Sequence, residues 1–294
     1  MKFNERYNNI RQLVQSELNI IQEKMVDSIQ TREPLNSYIR KFLTSPSKRI
    51  RPLLALLFLK AGNEKISDKQ LEVLTVVELV HNASLIHDDI IDESGFRRGH
   101  KTLSAEFDNK LAVISGDYIL AVAMRKLTNL ANMQIIEQFA ETIRKMCLGE
   151  INQNFDRFKI GTIEAYIEKT KNKTGYLFKT ALVTPLLLAN NDIYNIKTIG
   201  ELGLNIGIAF QIRDDLLDIL KMDSSKPVNS DMTEGIYNAP VIYGGGIDNY
   251  LSGIEKTKDL LNNYIKSAAK VVDTLPENKY KMALEEFLEL LNNV

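Results

Sequence analysis

Cysteine is scarce in this chain of 294 residues: Cys147 is the only one. A single thiol excludes an intramolecular disulfide and a cysteine-rich zinc site, and it fits a reducing compartment. Its simplest reading is a small buried apolar residue. Charge of one sign is also missing, because 37 Lys and Arg stand against 38 Asp and Glu, a formal net charge of −1. That argues against a nucleic-acid binder, whose footprint is an overall basic excess, so any basic residue that matters works locally. The densest apolar run, PLLALLFL at 52–59, is far too short to span a bilayer, so no transmembrane segment is expected. The first residues, MKFNERYNNIRQLVQSELNIIQEK, mix charges throughout and lack the apolar stretch of a signal peptide. The expectation is a soluble cytoplasmic protein. Linkers rich in Pro, Gly or Ser and low-complexity tracts are absent, and 1–294 reads as one domain. The GGG at 244–246 stands without the flanking residues of either phosphate-loop signature.

What is abundant is helical periodicity. Apolar residues recur at helix spacing over 8–30, 52–62, 71–92, 110–130, 134–157, 163–190, 196–221, 250–272 and 276–292. No segment alternates with period two between turn signals, so the fold class is all-α. The few prolines fall at boundaries except Pro185, which is expected to kink or break a helix.

Two acidic motifs interrupt this apolar pattern. LIHDDIID carries Asp88, Asp89 and Asp92, and QIRDDLLDIL repeats the spacing with Asp214, Asp215 and Asp218. On a helix, residues four apart share a face with a rise of roughly 6 Å. A solvated acidic face is the usual fate of such clusters. Here both lie within apolar helices, where packed carboxylates repel one another and call for a compensating positive charge. The pair favours a shared divalent cation. Hard oxygen ligands without Cys or His argue against zinc, and no compact twelve-residue calcium loop is present. Magnesium binds through one or two carboxylates plus substrate phosphates, so a polyphosphate ligand is implied. Local basic residues can cradle it: Lys48 and Arg51 in SKRIRP, the adjacent forks of Arg97 and Arg98, Lys173 in NKTGYLF and Lys226 in SKP. Arg49 is expected to point elsewhere. His81 lies two turns before Asp88 on nearly the same face. Two readings of it stand level, a ligand contact and a hydrogen-bonded core histidine.

These stretches, together with ELVHNASLIHDDIIDESGFRRG, GDYIL, GEINQ, FQIRDDLLD and KPVNSDMTEGIYNAP, resemble the trans-isoprenyl (polyprenyl) diphosphate synthases from about Lys48 to Pro240. The resemblance implies an isoprenoid-synthase bundle of antiparallel helices around a deep central cavity, usually a homodimer. It implies Asp88, Asp92 and Asp214 as the principal magnesium ligands, with Asp89, Asp215 and Asp218 assisting, and three magnesium ions once a substrate diphosphate is bound. Arg97, Lys173 and Lys226 would hold the diphosphate of an allylic substrate such as farnesyl diphosphate. Lys48, Arg51, His81 and Arg98 would hold that of isopentenyl diphosphate. The allylic C–O bond would ionise, leaving a carbocation near the dipoles of Thr174 and Gln211, and the double bond of isopentenyl diphosphate would attack it.

Product length is partly readable through the same resemblance. Ala83 and Ser84 stand below the first acidic motif, where small residues leave room for a growing chain. The expected product is a medium or long all-trans polyprenyl diphosphate, hexaprenyl to octaprenyl, with Met124 a candidate floor. The sequence departs from the family pattern at Ser47, at Ser225–Lys226 and after Pro240, where about one helix is missing. Alternatives are a short-chain geranylgeranyl synthase, a class I terpene cyclase on the same fold, and the catalytic subunit of a heterodimeric synthase.

Overall fold

The computed structural model describes residues 3–189, 195–220, 232 and 234–294. It is a bundle of helices, and among the described residues the only strands are two of two residues each. The chain opens with α1 (Phe3–Gln12), α2 (Gln15–Asp27) and α3 (Leu35–Thr44). Then follow α4 (Ile50–Ala61) and α5 (Asp68–Ile91). A hairpin of β1 (Phe96–Arg97) and β2 (His100–Lys101) leads to the short α6 (Leu103–Glu106), α7 (Asn109–Asn129) and α8 (Met133–Phe155). Next, α9 (Ile163–Thr170) runs through a π-helical turn at Lys171–Gly175 into α10 (Tyr176–Leu186). The remaining helices are α11 (Ile196–Leu220), α12 (Ala239–Gly244), α13 (Ile254–Val272) and α14 (Lys279–Asn292), with a 3₁₀ stretch at Ile247–Gly253.

Burial explains why these segments hold their places. Every residue of α4 except Arg51 and Lys60 is buried, which makes it a central helix rather than an amphipathic surface one. α5 starts on a capping box in which the Ser67 hydroxyl accepts from the Gln70 amide and the Gln70 side chain accepts from the Ser67 amide. It packs on α7, while α10 packs on α11 and α11 on α13. Two apolar clusters result. One joins α1, α2, α4, α10, α11, α13 and α14; the other joins α3, α5, α7 and α8 with parts of α2 and α10. The large cavity described below opens between them.

The structure departs from the periodicity reading in a few places. The run at 8–30 breaks at residues 13–14, and α3 is an additional helix, bounded by Pro34 and Pro46. Pro185 lies in the last turn of α10, so it ends the helix instead of kinking it. Cys147 is exposed, not buried. It falls on the side of α8 that faces an apolar cavity instead of the core.

Candidate functional site

The first acidic motif sits at a helix C-terminus, since α5 ends at Ile91 with Asp92 as its C-cap, and the second lies on α11. The last carbonyls of a helix already carry partial negative charge, so the carboxylates at the end of α5 are destabilised until a cation joins them. The six aspartates do not share one environment. Asp89 is only 3% exposed and accepts from Arg97 Nε at 2.5 Å. Asp215 is also buried, accepting from Tyr166 Oη at 2.6 Å and Gln211 Nε2 at 2.9 Å. Asp218 is exposed. Asp88, Asp92 and Asp214 instead line one cavity of about 560 Å³, and Asp214 Oδ1 lies 3.8 Å from Arg213 Nη1.

Electrostatics separates the same residues. Burial pushes the Asp88 carboxyl up to about 6, with Glu150 and Asp92 adding repulsion and Lys173 opposing them. Burial also raises Asp92, again with Glu150 against it and Lys173 in its favour. Such a site gains stability from a multivalent cation. Among the described residues no three His, Cys, Asp or Glu side chains form a preformed metal cage. That donor set fits magnesium, which keeps several waters and binds through one or two carboxylates and substrate phosphates.

The cation side of the site is built on the π-helical turn. Lys173 and Thr174 lie in it, and the turn fits because two glycines on neighbouring helices let backbones close on it. A Cβ on Gly149 would meet Lys173 N at 2.9 Å, and a Cβ on Gly207 would meet the Gly175 Cα at 2.7 Å. Lys173 Nζ pairs with Glu150 at 2.6 Å. Burial works against the ammonium, yet Glu150, with Asp88 and Asp92, holds its pKa above the usual lysine value. Thr174 Oγ1 donates to Gln211 Oε1 at 3.0 Å, while the Gln211 amide nitrogen is tied to Asp215. Asp92, Lys173, Thr174, Gln211 and Asp215 also line an adjoining polar recess of about 380 Å³, closed on one side by Tyr166.

The second basic group comes from the start of α4 and the hairpin. Arg49 is the N-cap of α4 in the left-handed region at φ 50°, and its guanidinium donates to the Leu43 carbonyl at 3.0 Å. It lines the cavity along with Lys48 and Arg51, where the sequence reading had turned it away. The backbone around Lys48 is pinned: Tyr7 Oη donates to the Lys48 carbonyl, and Arg11 Nη1 donates to that of Ser47 at 3.0 Å. Arg51 lies over the Phe178 ring at 4.8 Å, and burial brings its pKa down to about 10. The hairpin turn places Arg98 and Gly99 at φ 51° and 79°, the signature of a type I′ turn. This turns Arg98 over the Phe42 ring at 5.8 Å while Arg97 reaches Asp89. His81 lines the cavity as well. Burial, then Arg51, Arg98 and Arg97, push its pKa well below the ordinary value, so the ring is neutral. Lys226 lies outside the described residues.

An apolar cavity of about 380 Å³ adjoins this one and shares Ser84, Asp88, Met146 and Lys173 with it. Val80, Ala83, Leu120, Ile143, Cys147 and Ile151 complete much of its wall. The Ser84 hydroxyl donates to the His81 carbonyl at 2.9 Å, which removes its polarity from that surface. Met124 is partly buried against the second apolar cluster, and the α7 residue on the cavity wall is Leu120, one turn earlier. Sequence reasoning gave no role to Glu78, Glu150 or Tyr166. Glu150 stood within the quoted GEINQ stretch, but its tie to Lys173 joins residues far apart in sequence.

Comparison with known proteins gives a consistent result. Residues 32–290 match the polyprenyl synthetase family. A prenyl transferase of Cyanidium caldarium is 32% identical over 96% of this chain and 97% of its own length. Component 2 of the heptaprenyl diphosphate synthase of Bacillus subtilis is 31% identical over 83% of this chain and 70% of its own. The fold is that of a heptaprenyl diphosphate synthase from Staphylococcus aureus, at a TM-score of 0.87 and 24% identity, covering 96% of this chain and 98% of the other. This chain belongs to the polyprenyl synthetase family of trans-prenyltransferases.

Proposed function

We propose that the chain adds isopentenyl diphosphate units head-to-tail to an allylic diphosphate such as farnesyl diphosphate, giving an all-trans polyprenyl diphosphate of hexaprenyl to octaprenyl length. The observation that carries this reading is the junction of two cavities, one charged and one apolar, through Ser84, Asp88, Met146 and Lys173. A diphosphate held among the charges has its hydrocarbon tail facing the apolar wall. Small residues at Ala83 and Ser84 leave the entrance open, which supports a medium or long product over a geranylgeranyl one.

The residues divide the work by chemistry. Asp88, Asp92 and Asp214 would hold magnesium, with Asp218 nearby on α11. Asp89 and Asp215 act by orienting Arg97 and Gln211, since both carboxylates are occupied by those donors. Bound magnesium supplies positive charge to the departing diphosphate. Lys173 and Arg97 add fixed cations to the same oxygens, and removing one such group slows chemistry by about 10²–10³-fold. Gln211 Oε1 and the Thr174 hydroxyl form a local dipole array beside the bond that ionises. Lys48, Arg51, His81 and Arg98 orient isopentenyl diphosphate, and no protein nucleophile is needed because the released diphosphate takes the proton.

A second polypeptide is the one further reading with support. The Bacillus subtilis relative is named as component 2 of its synthase, and Val113, Ile114, Met133 and Ile151 expose apolar side chains on α7 and α8. A homodimer or a heterodimer would cover them. The reaction is assigned to the cytoplasm and to one domain spanning 1–294; among the described residues no helix is long and apolar enough to cross a membrane. The test is product analysis of the purified chain with farnesyl diphosphate, labelled isopentenyl diphosphate and magnesium. A ladder ending at a defined length supports the elongase. Activity only after adding a second subunit supports the heterodimer, and a hydrocarbon formed without isopentenyl diphosphate supports a cyclase.

A further inference from the structure

One carboxylate stands among the cations of the central cavity with no part in the reaction so far described. Glu78 projects from α5 three residues before His81, is 3% exposed and lines the cavity with Lys48, Arg51 and Arg98. A buried carboxylate is normally closed into an ion pair. Glu78 is not: its Oε1 has no hydrogen-bond partner among the described residues, and neither does the buried Nε of Arg51. Burial pushes its pKa above the ordinary glutamate value, while Arg51 first, then Arg49 and Arg98, pull it back toward the charged form. Arg49 is already fixed by the Leu43 carbonyl and Ser47 Oγ. Arg51 and Arg98 instead lie over aromatic faces, Phe178 and Phe42. Without an anion behind them, these like charges repel and turn away from the cavity.

Building on the proposed function, we propose that Glu78 is a positioning residue for isopentenyl diphosphate. It holds Arg51 and Arg98 converged on the cavity, and acts through them without touching the substrate. Direct electrostatics predicts the opposite sign, because removing a negative charge from an anion site would tighten diphosphate binding. The two accounts therefore separate on one substitution. Glu78→Gln keeps the size and an acceptor oxygen but removes the charge.

The experiment is steady-state kinetics of the full chain with both substrates varied, alongside thermal unfolding. Positioning predicts that Glu78→Gln raises KM for isopentenyl diphosphate about tenfold, the scale of a small misplacement of binding groups. It predicts kcat and KM for the allylic diphosphate within about twofold of wild type, and a partial return with Glu78→Asp. A KM for isopentenyl diphosphate that is unchanged or lower overturns the inference, as does an equal rise in both KM values. If Glu78→Gln fails to fold, Glu78→Asp decides alone, by whether it raises KM for isopentenyl diphosphate selectively. If the wild type does not turn over, it is the proposed function that fails. Calorimetric titration of isopentenyl diphosphate into wild type and Glu78→Gln then still reads the inference: weaker binding supports it, and equal or tighter binding overturns it.

Discussion

Gly207 carries no functional group of the site, yet its substitution is expected to be felt there. A Cβ added to Gly207 would stand 2.7 Å from the Gly175 Cα and 3.1 Å from Phe178 Cδ2. Ordinary carbon contacts begin at about 3.5 Å, so the 2.7 Å approach to Gly175 requires α11 and the π-helical turn to part by roughly 0.8 Å. The nearer atom is backbone and cannot swing away. Overpacking of this kind costs about 1–3 kcal/mol, offset by about 1 kcal/mol from replacing a helical glycine with alanine. The expected result for Gly207→Ala is a net loss of about 0–2 kcal/mol, read as a fall in Tm of no more than about 8 °C. Turnover should suffer more than stability. The turn carries Lys173 and Thr174, and α11 carries Gln211 and Asp214, so the displacement acts between the two halves of the site. A misplacement near 1 Å can slow an enzyme by about 10²-fold. The assay is single-turnover incorporation of labelled isopentenyl diphosphate under conditions where the variant is fully folded. Incorporation within twofold of wild type would refute the claim that this contact sets the geometry of the site.

Other substitutions probe separate parts of the site. Asp88→Asn should abolish turnover while raising the Tm of the metal-free protein near neutral pH. The Asp88 carboxyl is at about 6 when folded against an ordinary 3.8, so above that range its ionisation favours the unfolded chain. Removing it stabilises the fold there and does nothing below about pH 3.5, where both states are protonated; a Tm gain independent of pH in a melting series would contradict this. Asp214→Ala should likewise stop magnesium-dependent turnover with the circular dichroism unchanged, and near-normal activity would remove it from the metal site. Ser84→Phe should shorten the product, as read by chromatography of the dephosphorylated chains; an unchanged distribution would mean that the growing chain does not pass it. Tyr166→Phe deletes the hydroxyl on Asp215 and should lower kcat about tenfold, the scale of a hydrogen bond to a charged group. A kcat within twofold of wild type would show that the Tyr166 hydroxyl is not needed to hold Asp215.

The helices were legible because burial imposes their period, and the central ones stood out as apolar nearly all round, as in α4. The acidic motifs were legible for a different reason: charge inside apolar helices is expensive enough to mark itself. What was hidden depends on contacts between elements. The pattern over 163–190 reads as one helix, and nothing local signals the π-helical turn, since Gly149 and Gly207 on two other helices make room for it. The same holds for Asp215, whose partner Tyr166 comes from another helix. Short α3 was legible in principle, since Leu35, Tyr38, Ile39, Phe42 and Leu43 keep helical spacing between the two prolines. Cys147 was misjudged because residue type predicts burial only on average, and its side of α8 faces a cavity.

On the proposed function, the shared wall between the charged and apolar cavities would make the protein a ruler. Each round of growth would begin with the diphosphate at the same place, near Asp88 and Lys173, so every added unit would move the far end of the tail one step deeper past Ser84. Length is then measured as distance from a fixed zero mark, not counted. The mark belongs to the charged residues and the end stop to the apolar ones, and on α5 the two stand on successive turns of one face, Asp88 above Ser84 and Val80. A change to the stop alters where growth ends without altering how each bond is made. Variation in product size within one fold can thus accumulate through apolar substitutions that the chemistry never senses.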